Sequence, residues 1–210
     1  MVSDDTSIWG SFESWRATAF TVAGVVFVAD AVILAGNLAL GTEQYTTFGQ
    51  GLIGTAWTAG FVGLLGFYPS LARRGRWLSR GGGVFAVIGL STVAIMALVS
   101  FGLFVGAIGG ALSDYTMYFL PGVFLGIVFG FGSYGVASLR ASSHAPRVGL
   151  LFLLLVATFL FNLGSGVAGF NPLAKVFGVV AVLSLAMLVL GYSLRTDSEE
   201  TALGGTPARE

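Results

Sequence analysis

The 210-residue chain carries ten basic and ten acidic residues, for a formal net charge of zero, and only 10% of it is charged against 55% hydrophobic. An average soluble domain has roughly 25% charged residues, so this supply cannot cover a water-solvated surface, and the even balance creates no field that would draw nucleic acid. The lack of cysteine excludes disulfides, thiolate nucleophiles, iron–sulfur clusters and cysteine-ligated zinc.

The leader, residues 1–17, is acidic and aromatic rather than basic. Within it Ile8, Trp9, Phe12 and Trp15 fall at helical spacing, which predicts a short amphipathic helix lying on the membrane with Trp9 and Trp15 at headgroup depth. An unstructured leader is the alternative. The apolar run from Thr18 to Leu40 is too long for a signal-peptide core and lacks a small-residue cleavage site, so it is expected to be retained. Five more runs follow: Phe48 to Leu71, Gly82 to Ile108, Met117 to Leu139, Val148 to Phe170 and Pro172 to Leu194. An α-helix rises about 1.5 Å per residue and needs roughly 20 residues to cross a hydrocarbon core near 30 Å thick, a length that each run reaches. The fold class expected is all-α, a polytopic bundle of six transmembrane helices over residues 18–194. The polar tail, residues 195–210, contains glycine, proline and little apolar side chain and is expected to be disordered.

Charge alternates along the connections. Arg16 precedes the first run and Glu43 follows it; Arg73, Arg74, Arg76 and Arg80 follow the second, Asp114 the third, Arg140 and Arg147 the fourth, and Arg195 the sixth. Short loops obey the positive-inside rule, which puts every arginine-bearing segment on the inner side of the cell membrane and both termini in the cytoplasm. An odd helix count would put Arg195 on the wrong side. Arg73, Arg74, Arg76, Trp77 and Arg80 form a basic, aromatic interface in which each arginine could gain about 1 kcal/mol from anionic lipid. Topology determination alone accounts for them, and that is the reading adopted.

Glycine is abundant, 32 residues, and recurs inside the runs at spacings of three or four. Gly102, Gly106 and Gly110 make one line and Gly122, Gly126 and Gly130 another. Lipid tails are as apolar as leucine, so membrane helices associate through close packing that small residues permit; both lines are expected to face neighbouring helices. Two segments, GFGSYG at Gly130 and GSGVAG at Gly164, match the dinucleotide fingerprint in letters only, because that motif works between a strand and the opening of a helix.

Asp30 lies near the middle of the first run, where an aspartate costs about 2.5–3.5 kcal/mol on insertion scales. A protonated carboxyl bonded to a neighbouring helix, an ion pair, or a carboxylate on a watery path would each make that tolerable. Asn37 stands two turns further out on the same face, Asn162 and Ser165 occupy the outer half of the fifth run, and Lys175, the only lysine, opens the sixth. Lys175 departs from the positive-inside pattern. It either snorkels to headgroups or faces inward toward Asn162 and Asp30 to form an outward-facing polar pocket. His144 is the sole histidine, so neither a two-histidine metal site nor a charge-relay pair forms within one chain, and no G-x-S-x-G elbow is present.

The expected role is a non-catalytic multi-pass protein acting as a membrane partner, subunit or structural component. Its surroundings are lipid, its macromolecular partner a membrane protein or a second copy, and neither cofactor nor metal nor nucleic acid is expected. The alternative is a small ion- or proton-coupled transporter or channel using Asp30 and the outer-half pocket. A dry, packed Asp30 favours the first, a continuous polar cleft the second.

Overall fold

The computed structural model describes residues 8–41, 47–72, 76–141 and 146–204, and the regular structure among them is helical. The helices are α1 (Ile8–Ala39), α2 (Thr47–Leu65), α3 (Tyr68–Ala72), α4 (Arg76–Phe104), α5 (Leu112–Phe124), α6 (Gly132–Ala141), α7 (Pro146–Val167) and α8 (Leu173–Gly204), with a π-helical stretch, Leu125–Phe131, joining α5 to α6. Six helical stretches are long and apolar enough to cross a membrane: Ser14–Ala39, Thr47–Leu71, Trp77–Phe104, Leu112–Arg140, Pro146–Val167 and Leu173–Thr196.

Three boundaries differ from the sequence expectation. Leader and first span are one continuous helix from Ile8, so no separate amphipathic helix ends at residue 17; residues 1–7 lie outside the described set. The third span stops at Phe104 because Gly106 takes φ +75°, the left-handed conformation that glycine adopts without a Cβ penalty. There the amide of Gly106 donates to Leu103 O at 3.2 Å and that of Ala107 to Gly102 O at 2.8 Å, the two bonds of a Schellman stop. At the other end of the chain, α8 continues to Gly204 instead of giving way to a disordered tail at residue 195. Its Ser-Glu-Glu-Thr-Ala-Leu segment holds good helix formers, and an existing helix extends without a new nucleus. Residues 205–210 are outside the described set.

Neighbouring spans run antiparallel. Gly63 faces Phe20, Gly54 faces Ala97, Gly89 faces Gly126, Gly149 faces Gly135, and Gly24 faces Leu188. This alternation gathers Arg16, Arg80, Arg140, Arg147 and Arg195 at one end of the bundle and Asp114 and Lys175 at the other. The second span is the central one, with 61% of its apolar window buried, whereas the third and fifth have 28%. Its Trp57 and Phe61 join Phe27, Phe131 and Phe152 in an aromatic core, with ring centroids 5.1 Å apart for Phe61 and Phe131, 5.7 Å for Phe27 and Trp57 and 5.8 Å for Phe131 and Phe152. Edge-on pairs of this kind add about 0.5–1.5 kcal/mol each beyond burial.

Candidate functional site

The glycine lines separate. Gly122 faces Thr92, Gly126 faces Gly89 and Gly130 faces Ala86, so all three lie against α4. Of the other line only Gly102 is helical; Gly106 and Gly110 sit in the following connection at φ +75° and +100°. That line is therefore not a helix face, and what Gly102 accommodates is its own loop, since a Cβ there would lie 2.5 Å from Ile108 Cδ1. Beyond it Asp114 is structural: its Oδ2 accepts from the Ala111 amide at 2.9 Å at the start of α5, where a carboxylate also meets the favourable helix dipole.

The end of the bundle opposite the arginines holds a chamber of about 270 Å³ between α2, α4, α5, α7 and α8. Trp57, Met96 and Phe159 form its apolar walls, and Gln50, Asn162 and Asn171 bring three uncharged amides to it. Beside the chamber, Lys175 Nζ donates to Asn171 Oδ1 at 2.9 Å, Ser165 Oγ at 3.1 Å and the backbone carbonyls of Asn162 and Phe170, each at 3.4 Å. An ammonium only donates, so it fixes the Asn171 oxygen toward itself and leaves that residue's NH₂ for other partners. Asn162 likewise uses its backbone carbonyl for Lys175 and Ser165.

This arrangement explains the lone lysine. Helix α7 ends in its own Schellman stop, Gly169 at φ +78° with the Phe170 amide donating to Ser165 O at 2.9 Å, and the last carbonyls of a helix carry partial negative charge. The Lys175 ammonium sits beside this end, on the Asn162 carbonyl of α7 and the Phe170 carbonyl just beyond it. Lys175 reaches Asn162 and Ser165 and lines an open groove of about 550 Å³ between α7 and α8, walled by Ala157, Phe161 and Val182, rather than the chamber.

Asp30 and Asn37 stay apart from this cluster. Asp30 is fully buried and is partnered within the bundle. The antiparallel register carried by Phe27 against Trp57 and by Gly24 against Leu188 sets Asp30 at the depth of Ile53 in α2 and Val182 in α8. Ile53, Trp57, Val180 and Leu183 form the chamber wall at that depth, and α1 supplies none of the described lining. Asp30 is therefore level with that wall without being among the described lining residues. Of the five polar residues singled out in the sequence, the structure joins Asn162, Ser165 and Lys175; Asn37 is half-buried.

Among the residues expected at the lipid interface, Trp15 and Trp77 are exposed, as is Arg80. Arg73 and Arg74 lie outside the described residues, and so does His144; the side chains of Trp9 and Arg76 are likewise not described. The Gly130 fingerprint falls inside continuous helix and the Gly164 one across the end of α7, with no strand preceding either among the described residues.

Gln50, Trp57, Met96 and Asn171 were not singled out in the sequence. Gln50 had a legible signal, a lone amide in an apolar run. Asn171 had a weaker one, its place before a proline between two spans; Trp57 and Met96 look like any lipid-facing residue. No protein-family model, curated protein or solved structure matches this chain.

Proposed function

We propose that this chain is a non-catalytic six-span protein of the cell membrane, with both termini cytoplasmic, that acts as a partner, subunit or structural component of a membrane assembly. The observation that carries this reading is Asp30, fully buried and partnered and absent from the described lining of the chamber. A carboxylate that couples ions needs a wet path to at least one side, and a packed one ties helices together instead. The gathering of arginines at one end supports the orientation. Reporter fusions at Ala141 and at the C-terminus should read cytoplasmic, and fusions at Glu43 and Asp114 external.

The test of the role is reconstitution of wild type and Asp30→Asn in liposomes loaded with a pH-sensitive dye, under an imposed proton or sodium gradient. On this reading neither protein moves ions above the empty-liposome rate, and Asp30→Asn still folds and still retains co-purifying membrane proteins. Gradient-driven flux in wild type that Asp30→Asn abolishes overturns it. One observation favours a second reading, a small transporter: the chamber itself, with amides over apolar walls, has the make-up of a ligand pocket. Flux that survives Asp30→Asn and falls on substitution of Asn162 or Lys175 would establish that reading in place of the first.

A further inference from the structure

A groove of about 540 Å³ lies between α3 and α4 at the arginine-bearing end. Arg80 and Tyr68 line it together with Gly83, Val84, Val87 and Ile88. Arg80, Val84, Val87 and Ile88 are spaced i, i+4, i+7 and i+8, one stripe along α4. At about 1.5 Å per residue the stripe runs roughly 12 Å from cation to last aliphatic side chain. That is most of the roughly 15 Å thickness of one hydrocarbon leaflet, and it runs along the helix, the direction in which an acyl chain lies.

The aliphatic part faces outward, with Val84 60% and Val87 48% exposed, and Gly83 gives the Tyr68 ring room against α4, a Cβ there lying 3.3 Å from it. Trp77, one turn before Arg80, is 89% exposed, as suits a side chain at headgroup depth. None of the described lining residues is acidic, and Arg73, Arg74 and Arg76 precede the groove in sequence.

We infer that this groove is a binding site for an anionic phospholipid, its phosphate on the Arg80 guanidinium and one acyl chain along Val84, Val87 and Ile88. A guanidinium fork matches phosphate oxygens two at a time, and a basic pocket beside membrane helices selects against the extra cation of a zwitterionic headgroup. The inference rests on the six-span membrane reading. A different result tests that reading: protein released from membranes by alkaline carbonate would not be integral at all, whereas the lipid preference concerns protein that stays.

The experiment uses the full chain, purified in neutral detergent and stripped of lipid. Thermal unfolding is followed while dioleoyl phosphatidylglycerol, dioleoyl phosphatidylcholine or glycerol 3-phosphate is added, and retained lipid is counted by native mass spectrometry. Phosphatidylglycerol should stabilise and be retained in preference to phosphatidylcholine, and glycerol 3-phosphate should do neither. Arg80→Gln should weaken the preferred binding about tenfold, the size of losing one strong charge-assisted contact. Val84→Trp, which fills the groove from an exposed position, should abolish retention while leaving the lipid-free melting temperature near wild type. Equal stabilisation by the two lipids, a preference undiminished in Arg80→Gln, or full stabilisation by glycerol 3-phosphate alone would each overturn the inference. So would retention of a partner protein in the groove that excludes lipid.

Discussion

Where α4 crosses the fourth span, a Cβ on Gly89 would lie 2.7 Å from Gly126 Cα, and where α1 meets α8 a Cβ on Gly24 would lie 2.6 Å from Leu188 Cγ. At the Lys175 end of α7 and α8, Cβ atoms on Gly164, Gly166 and Gly178 would meet nothing within 4 Å. The same residue type thus serves two different ends. In the first region backbones approach until only hydrogen fits, and Asp30 is fully buried in α1 two turns beyond Gly24. In the second these glycines are exposed and face no neighbour, and the chamber, the lateral groove and Lys175 lie near them. The contrast teaches that glycine content alone does not measure how tightly a membrane bundle is packed.

The largest effect should come from breaking the sealed region. Gly126→Leu puts four carbons where Gly89 already touches, and overpacking of this kind costs about 1–3 kcal/mol or more; the detergent-solubilised variant should melt several degrees lower. Gly164→Leu should melt with wild type. Equal melting of the two variants would erase the distinction between the regions.

An intermediate effect is expected at Lys175. Lys175→Met keeps the aliphatic stem and removes the ammonium that holds Asn171, Ser165 and the Asn162 and Phe170 carbonyls. With the site half open to solvent the loss should be about 1 kcal/mol, and hydrogen exchange should quicken in the 162–172 segment while the α1–α2 seam stays protected. Exchange that quickens everywhere would mean that the outer cluster supports the whole bundle.

The smallest effect concerns Tyr134, whose fully buried hydroxyl has no hydrogen-bond partner among the described residues. Removing an unsatisfied polar atom while keeping the ring is near neutral or stabilising by up to about 1 kcal/mol, so Tyr134→Phe should melt at or slightly above wild type. A clear loss of stability would show that the hydroxyl is bonded in the membrane, through water for instance, and that the inner half is less dry than its packing implies.

Two glycine lines with the same four-residue spacing show how far the sequence could be read. Gly122, Gly126 and Gly130 lie on a continuous helix and meet α4; Gly106, equally spaced from Gly102, ends its helix instead. The spacing is identical, and the outcome turns on whether the chain keeps its helical φ at that point, which apolar neighbours do not reveal. The π turn at Leu125–Phe131 is hidden for the same reason. Within the site, Asn162, Ser165 and Lys175 were legible because polar side chains stand out against apolar runs. Their separation from Asp30 was not legible, since it depends on α1 packing outside the chamber wall formed by α2 and α8.

By itself the sequence determined the number of spans and the alternation of arginine-bearing with arginine-free connections, because a hydrocarbon slab demands a minimum length of apolar helix and penalises charge within it. The tertiary structure alone decided which face each helix turns inward, which glycines touch and which amides share a chamber. In water an apolar face is driven inward and marks itself in the sequence; in a bilayer the lipid outside is as apolar as the core inside, so polarity carries no such mark and only the fit of one helix against another makes the choice.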